Sequence, residues 1–339
     1  MDLKIASGSA NTEERQAVDS LLGAPQETSH GAQRDEMGMR VSTGGESLRK
    51  LRHLLLPTLH SVNDRVGYIS RGAINYISQR LDIAPAEIYG VATFYALFDT
   101  NERPARQVHV CVDLACRAAS GCTEDTLTEG AIPSPCLGTC ERAPSVLVIE
   151  TGVTVRQEVL APATKTQIAE LVAGKPAPAE QPIESAAPQT PDKSLVLLSR
   201  IGNTDPLSID DYISNSGFTA LRKAFAIGAE QVIAEVTASG LVGRGGAAFP
   251  TGRKWAAVAS QPVKTRYLIC NADESEPGTF KDRVLLEGDP FALVEAMTIA
   301  AFATGSQHGY LYLRGEYPRA LKNLTNAVEV ARSKKYLGD

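Results

Sequence analysis

Apolar positions first recur at helical spacing, between residues 46 and 98. Leu51, Leu54, Leu55 and Leu59 fall at steps of three and four, with Pro57 set to interrupt or open a segment. Ser70 has the chemistry of an N-cap for a helix over 73–81, and Pro85 that of a first helical residue. Three short helices packed together are the expectation, with the aromatic stripe Tyr89, Phe94 and Tyr95 in their core. The preceding residues, 1–45, are rich in Ser, Gly, Glu and Gln and have little apolar periodicity. They read as a disordered tail with room for one short helix over 12–22.

Beyond residue 106 the period changes to two. A strand is expected over 107–112, then a hairpin of 146–150 and 153–159 turning at Thr151 and Gly152, then a helix over 164–173. Strand, helix, hairpin and helix in that order suggest a small thioredoxin-like α/β layer, so that 46–173 forms one domain. Residues 174–193 hold five prolines and almost no large apolar side chains, as a semi-extended linker does.

From 194 to 339 strands and helices alternate, which implies a parallel or mixed sheet in a second α/β domain. Ala229, Val232, Ile233 and Val236 mark a helix face that ends at Gly240. A strand is expected over 266–270. Asp289 and Pro290 open a helix so apolar that it should be buried. A strand over 310–313 and a last helix from Pro318 follow, with Leu321, Leu324, Val328 and Ala331 facing inward.

Composition narrows the function classes. The 339 residues are 43% hydrophobic and 22% charged, and the formal net charge is −5. That charge supplies no basic field for nucleic acid. No apolar run is long enough to cross a bilayer, and the first residues lack a secretory pattern. The expectation is a cytoplasmic protein with no direct membrane insertion, peripheral to the membrane at most through partners.

Five of the six cysteines, Cys111, Cys116, Cys122, Cys136 and Cys140, fall within thirty residues. Such crowding favours metal ligation over disulfides in a cytosolic chain. Two pairs, Cys111/Cys116 and Cys136/Cys140, are separated by four and three residues. Four thiolates suit a [2Fe–2S] centre or a structural zinc, and zinc knuckles are usually tighter, which tilts the reading toward iron and sulfur. Cys270 reads as strand packing, and the five histidines form no ligand pattern.

The densest chemistry lies at 240–283, GLVGRGGAAFPTGRKW and then RYLICNADESEPGTFKDR. Glycines strip the side chains from one loop, letting backbone N–H groups approach a phosphate or a flat ring. A helix following the loop adds its positive dipole end and Lys254. The next strand delivers Asn271, Asp273, Glu274 and Glu276 at its C-terminal end, where ligands of open α/β sheets bind. GRGG matches neither the dinucleotide fingerprint nor the P-loop, so residue chemistry alone implies only an anion or nucleotide site.

GRGGAAFPTGRKW, CNADESEPGTFKDR, EGDP and YLRGEYP together resemble the flavin- and NADH-binding subunit of respiratory complex I, a subunit type shared with NAD-reducing hydrogenases and NAD-dependent formate dehydrogenases. The resemblance runs from about Asp205 onward. GVATFYALF, HVCVDLAC and CLGTCERAP resemble the thioredoxin-like [2Fe–2S] subunit that partners it, over 47–173. These resemblances imply a fused electron-input module: a helical bundle with a thioredoxin-like [2Fe–2S] domain, then an incomplete α/β FMN/NADH-binding domain.

They imply cluster ligation by Cys111, Cys116, Cys136 and Cys140, and a loop of Gly243, Arg244, Gly245 and Gly246 beneath the flavin and nucleotide. Lys254, Asn271, Asp273 and Glu274 would contact FMN, and Phe249 and Glu276 the NADH, with no side chain acting as acid or base. NADH would be oxidised, or NAD⁺ reduced, with electrons passing to iron–sulfur clusters of partner subunits. Those partners are an iron–sulfur subunit and a dehydrogenase, hydrogenase or quinone-reducing subunit.

Departures from the family patterns are also legible. The segment between Cys116 and Cys136 is shorter than usual, implying a trimmed helix and strand, with Cys122 as a bystander inside it. Ala248, Arg253 and Ser275 replace common family residues and should tune the pocket. The family's flavin subunit continues beyond Asp339 with a further flavin-contacting segment and a C-x-x-C-x-x-C motif, so the flavin half reads as truncated. The alternative reading is a [2Fe–2S] electron-transfer or assembly protein with a vestigial flavin half.

Overall fold

The apolar stripes between residues 46 and 98 fold as short helices because each is bounded by its own start and stop signals. A computed structural model describes residues 7–25, 48, 50–182, 195–263 and 265–338. By internal contacts the chain divides into two units, one of Met1–Leu137 with Ala143–Glu180, the other of Gly138–Arg142 with Gln181–Asp339. The division at Glu180 falls inside the proline-rich stretch, most of which (183–194) lies outside the described residues.

In the first unit, α1 (Thr12–Leu22) begins at an Asn11–Glu14 capping box. After a 3₁₀ turn at Arg52–Leu54 come α2 (Leu55–Val66), α3 (Arg71–Leu81) and α4 (Pro85–Ala92). Pro57 sits in the first turn of α2, where its missing N–H is not needed. Ser70 Oγ accepts the Ala73 N–H at 3.0 Å, as its position implied. Leu59, Val62, Ile69, Ile77, Leu81, Ile83 and Ile88 close the helical core, each worth about 1.5–3 kcal/mol of burial.

The short helix allowed over 12–22 is α1: its Ala17 and Val18 enter the core, and Asp19 takes a hydrogen bond from Tyr76 and an ion pair from Arg80. Residues 1–6 and 26–47 lie outside the described residues. One expectation needs correction here, because the aromatic stripe is not core throughout. Tyr89 and Phe94 are 51% and 79% exposed, because Ile88 and Ala92 form the buried line of α4, and only Tyr95 packs against the core.

The sheet of this unit has strand order β2–β1–β3–β4, with β1 (Arg106–Cys111), β2 (Ile132–Ser134), β3 (Val146–Glu150) and β4 (Arg156–Leu160). β1 runs parallel to β2 and antiparallel to β3, and β3–β4 is the expected hairpin. Between β1 and β2 lies α5 (Leu114–Ser120), and α6 (Lys165–Val172) follows β4. Val146 and Val148 pack on the face covered by Ile168 and Leu171 of α6, and Leu147 and Ile149 on the other, so β3 is buried on both sides. The segment from α5 to the three-residue β2 is as abbreviated as the spacing implied.

The second unit contains α7 (Ile209–Ser214), α8 (Thr219–Ile227), α9 (Ala229–Ala238), α10 (Thr251–Ala259), β5 (Tyr267–Ala272), α11 (Lys281–Gly288), α12 (Pro290–Thr304), β6 (His308–Leu313) and α13 (Pro318–Ser333). β5 and β6 pair in parallel, as alternation predicts. One face of the pair packs Ala272, Leu311 and Leu313 against Leu286, Leu293, Ala320 and Leu324. The opposite face leaves Tyr267, Ile269, Tyr310 and Tyr312 at 39–67% exposure. α12 carries a buried Glu295 that accepts the Tyr212 hydroxyl at 2.5 Å and the Phe218 and Leu221 N–H groups, capping α8. In α13 the buried line is Ala320, Leu324, Ala327 and Ala331, while Leu321 turns out to solvent, against expectation.

Candidate functional site

Cysteines gather where β1 ends. Cys111 is the last residue of β1, Cys116 lies on α5, and Cys136 follows β2; all three are buried, and none of the six cysteines forms a disulfide. The Cys111 thiol interacts with those of Cys116 and Cys136 and accepts the Asp113 N–H. Its hydrogen bond to Cys116 pushes the Cys111 thiol up to about 11, against the opposing pull of Cys136. Asp113 organises the group. Its Oδ1 caps α5 by accepting the Leu114 N–H at 2.6 Å, and Oδ2 accepts the Cys136 N–H at 3.2 Å. Three adjoining thiols with a donated N–H suit the thiolate ligands of an iron–sulfur cluster. Among the described residues, no three His, Cys, Asp or Glu side chains are drawn round a single point as one metal ion requires. Cys122 lies instead in the core beside Val108 and Val110.

Cys140 opens a 3₁₀ turn, Cys140–Arg142, and its short segment Gly138–Arg142 belongs to the second unit. There its Sγ accepts the Gly278 N–H at 3.2 Å. Arg283, 1% exposed, donates from Nε to the Gly138 carbonyl at 3.0 Å and pairs with Glu141 and with Glu287 at 3.1 Å. Burial lowers the Arg283 pKa, but Glu287 and Glu141 outweigh it and hold the guanidinium above its usual value. Gly138 has φ +72°, and a Cβ there would run into the Tyr317 ring. Neither Arg283 nor Tyr317 stands out in the sequence as a partner of the cysteine segment.

The glycine loop is a small antiparallel turn. Val242 bridges Pro250, the Gly243 N–H reaches the Phe249 carbonyl at 2.9 Å, and the Thr251 N–H reaches that of Leu241 at 2.9 Å. At Gly245 and Gly246 an added Cβ would meet nothing within 4 Å, and Gly246 has φ +96°. The loop is thus an open backbone cradle with exposed Arg244 at its tip. It leads into α10, where Lys254 is exposed and the Arg253 guanidinium stands 5.8 Å from the Phe249 ring. Gly252 is demanded by packing, since a Cβ would strike Thr237 of α9.

The acidic residues lie at the C-terminal end of β5. Asn271 Oδ1 accepts the Asp273 N–H at 3.1 Å, Asp273 accepts the Ser275 hydroxyl at 2.6 Å, and Glu276 is exposed. Glu274 is set apart. It is 2% exposed, Oε1 accepts the Asp282 N–H at 2.9 Å, and Oε2 accepts the Arg283 N–H at 3.1 Å and the Tyr317 hydroxyl at 3.2 Å. Its carboxylate caps α11 from within the unit.

Residues 45–124 match the thioredoxin-like [2Fe–2S] ferredoxin family, and residues 236–337 match the Nuo51 FMN-binding domain. This chain joins those two parts. The ferredoxin match takes in Cys111 and Cys116 and stops before Cys136, whereas the FMN-binding match spans the glycine loop and the whole acidic run. Among similar proteins, one subunit of the NADH-quinone oxidoreductase of Aquifex aeolicus is 48% identical over 143 residues, 42% of this chain and 33% of that one. The alpha subunit of the NAD-reducing hydrogenase HoxS of Cupriavidus necator is 31% identical over 303 residues, covering 83% of this chain and 49% of that one, and so spans both parts. The solved structure of an air-oxidized NAD⁺-reducing [NiFe]-hydrogenase aligns with a TM-score of 0.60 at 28% identity, over 83% of this chain and 50% of that one. The chain therefore spans about a third to a half of the length of these relatives. Among the described residues, no helix is long and apolar enough to cross a membrane.

Proposed function

We propose that the chain is an electron-input module of a larger redox complex, oxidising NADH or reducing NAD⁺ through FMN and a [2Fe–2S] cluster. The observation that carries this reading is the pairing, in one chain, of the adjoining Cys111, Cys116 and Cys136 thiols with the open glycine cradle. Cys111, Cys116, Cys136 and Cys140 would ligate the cluster. The Gly243–Gly246 backbone and Lys254 would hold the flavin phosphate, Asn271 and Asp273 its hydroxyl groups, and Phe249 and Glu276 the nicotinamide nucleotide, with Arg244 lending charge at the rim. Glu274 would act by fixing the loop from beneath. A bound flavin supplies the conversion of a two-electron hydride into single electrons. The residues bind and orient, and none need exchange a proton.

Partner subunits of this module would be an iron–sulfur subunit and a dehydrogenase, hydrogenase or quinone-reducing subunit, in keeping with the names of the relatives. We place it in the cytoplasm, meeting any membrane through those partners. A second reading is an electron-transfer or assembly protein whose flavin half is inactive. Anaerobically purified protein decides between them. Flavin that survives gel filtration and bleaches with NADH supports the first. Cluster absorbance without flavin or NADH response supports the second, and zinc in place of iron overturns both.

A further inference from the structure

The YLRGEYP stretch follows β6 as the acidic run follows β5, and the Ala272–Leu313 register sets the two side by side at the C-terminal edge of the parallel pair. Arg314 is only 7% exposed, and burying a guanidinium is costly unless its donors are used. Its Nε donates to Glu316 at 2.9 Å and its Nη1 to the Glu274 carbonyl at 2.7 Å. The guanidinium also stands 5.4 Å from the centroid of the Tyr317 ring, whose hydroxyl donates to the Glu274 carboxylate. Glu274 is therefore held at both ends, the carboxylate by Tyr317 and the N–H groups of Asp282 and Arg283, the backbone carbonyl by Arg314. That carbonyl belongs to the peptide joining Glu274 to Ser275. The Ser275 hydroxyl donates to Asp273 Oδ1 at 2.6 Å, and the Asp273 N–H donates to Asn271 Oδ1 at 3.1 Å. A line of contacts thus runs from a buried guanidinium through one peptide plane to an exposed carboxylate. A carboxylate accepts about four hydrogen bonds, so the serine contact leaves capacity for a ligand hydroxyl.

We propose that Arg314, acting through the Glu274–Ser275 peptide and the Ser275 hydroxyl, is a positioning residue that aims the Asp273 carboxylate at the hydroxyl groups of the flavin. The inference rests on the flavin contacts proposed above. An exposed carboxylate left to rotate must lose that freedom when it binds, whereas one already held loses little, so holding it raises affinity without a new contact. A packing role at the end of β6 would be met by an apolar side chain of similar volume. A hydrogen bond to the carbonyl of a ligand-facing loop would not. Arg314 itself touches no cofactor, and no proton or electron passes through it in this scheme.

Coupling to Asp273 separates positioning from packing. The full chain is titrated with FMN well below its melting temperature, and binding is read by quenching of FMN fluorescence. Wild type is compared with Arg314→Met, Arg314→Lys and Ser275→Ala, and the first and last changes are repeated on an Asp273→Ala background. Affinity should fall about tenfold in Arg314→Met and about threefold in Ser275→Ala, with partial recovery in Arg314→Lys. Neither Arg314→Met nor Ser275→Ala should weaken binding further once Asp273 is alanine. General loosening of the fold would instead weaken binding by the same factor with or without Asp273. Losses that persist on the Asp273→Ala background overturn the inference, as does wild-type affinity in Arg314→Met. Should Arg314→Met fail to fold, Ser275→Ala decides alone, because Ser275 is exposed and its hydroxyl lies outside the buried contacts of Glu274. Wild-type affinity in that variant, or a loss that does not need Asp273, then overturns the inference. A wild-type chain that binds no FMN removes the flavin reading and this inference with it, whereas a flavin-binding wild type with uncoupled variants removes only the inference.

Discussion

The Asp113 carboxylate receives the backbone N–H of Cys136 at 3.2 Å while its other oxygen caps the helix that carries Cys116. One side chain thus fastens the helix that carries Cys116 to the Cys136 backbone, 23 residues on from Asp113 itself. Replacing Asp113 with alanine removes the cap, at a cost of about 1 kcal/mol, and frees the Cys136 loop. Groups that orient metal ligands typically matter 10–100-fold in affinity, so iron retention during chelator challenge should fall about tenfold or more. Asparagine should recover part of it. Iron content of Asp113→Ala equal to that of the wild type would show that the bridge does not support the cluster.

Gly252 is a packing glycine in the first turn of α10, just after a loop whose Gly245 and Gly246 are open. A Cβ there would press on the Oγ1, Cα and Cβ atoms of Thr237, so Gly252→Ala must separate α9 from α10. Overpacking of this kind costs about 1–3 kcal/mol and should lower the thermal midpoint of the second unit by several degrees, read by circular dichroism. Adding Thr237→Ala should restore only part of that loss, because the Thr237 Cα is itself among the obstructing atoms. Full recovery would mean that the threonine hydroxyl alone is the obstacle.

How much of this was legible follows from the range of each interaction. Ser70, Pro85 and the β3–β4 hairpin act over a few residues, and each stands where the pattern placed it. The alternation of strands and helices after residue 194 likewise yields the parallel β5–β6 pair. The exposed Tyr89 could not be read, since α4 is too short for its periodicity to separate inner from outer aromatics, and Phe94 falls beyond the end of that helix, where the helical period no longer holds. Glu274 belongs to a motif of acidic residues that look alike in sequence. Only the fold turns it inward to cap α11 while Asp273 and Glu276 remain exposed. Arg283 and Gly138 are 145 residues apart, and their contact has no local signature.

Asp64 gives the first unit a pH dependence. Burial raises its carboxyl from 3.8 to about 6. A raised carboxyl binds its proton more tightly in the folded than in the unfolded chain, so its contribution is favourable in acid. It is lost as pH rises from about 4 through 6. Asp64→Asn removes the charge that neutral pH imposes on a buried position. The variant should be more stable than the wild type at pH 7, by about 1–3 kcal/mol, and should lose that advantage near pH 4. Denaturant melts at the two pH values test this, and an advantage of equal size at both would rule out titration of Asp64 as its source.

The inward turn of Glu274 separates two residues that sit side by side in sequence. Asp273 is exposed at the end of β5, and its carboxylate interacts with the Ser275 hydroxyl, so Asp273→Ala should leave the melting curve within about 0.5 kcal/mol of the wild type. Flavin affinity, read by quenching of FMN fluorescence, should weaken about tenfold if Asp273 hydrogen-bonds the cofactor. Glu274→Ala should do the reverse in order of cause. It strands the Asp282 and Arg283 N–H groups and the Tyr317 hydroxyl inside the unit, costing about 3 kcal/mol. Any loss of flavin binding should then follow that unfolding and recover at lower temperature or with stabilising osmolyte. A Glu274→Ala protein that melts like the wild type yet no longer binds FMN would place the carboxylate in direct contact with the cofactor and remove its role as a cap.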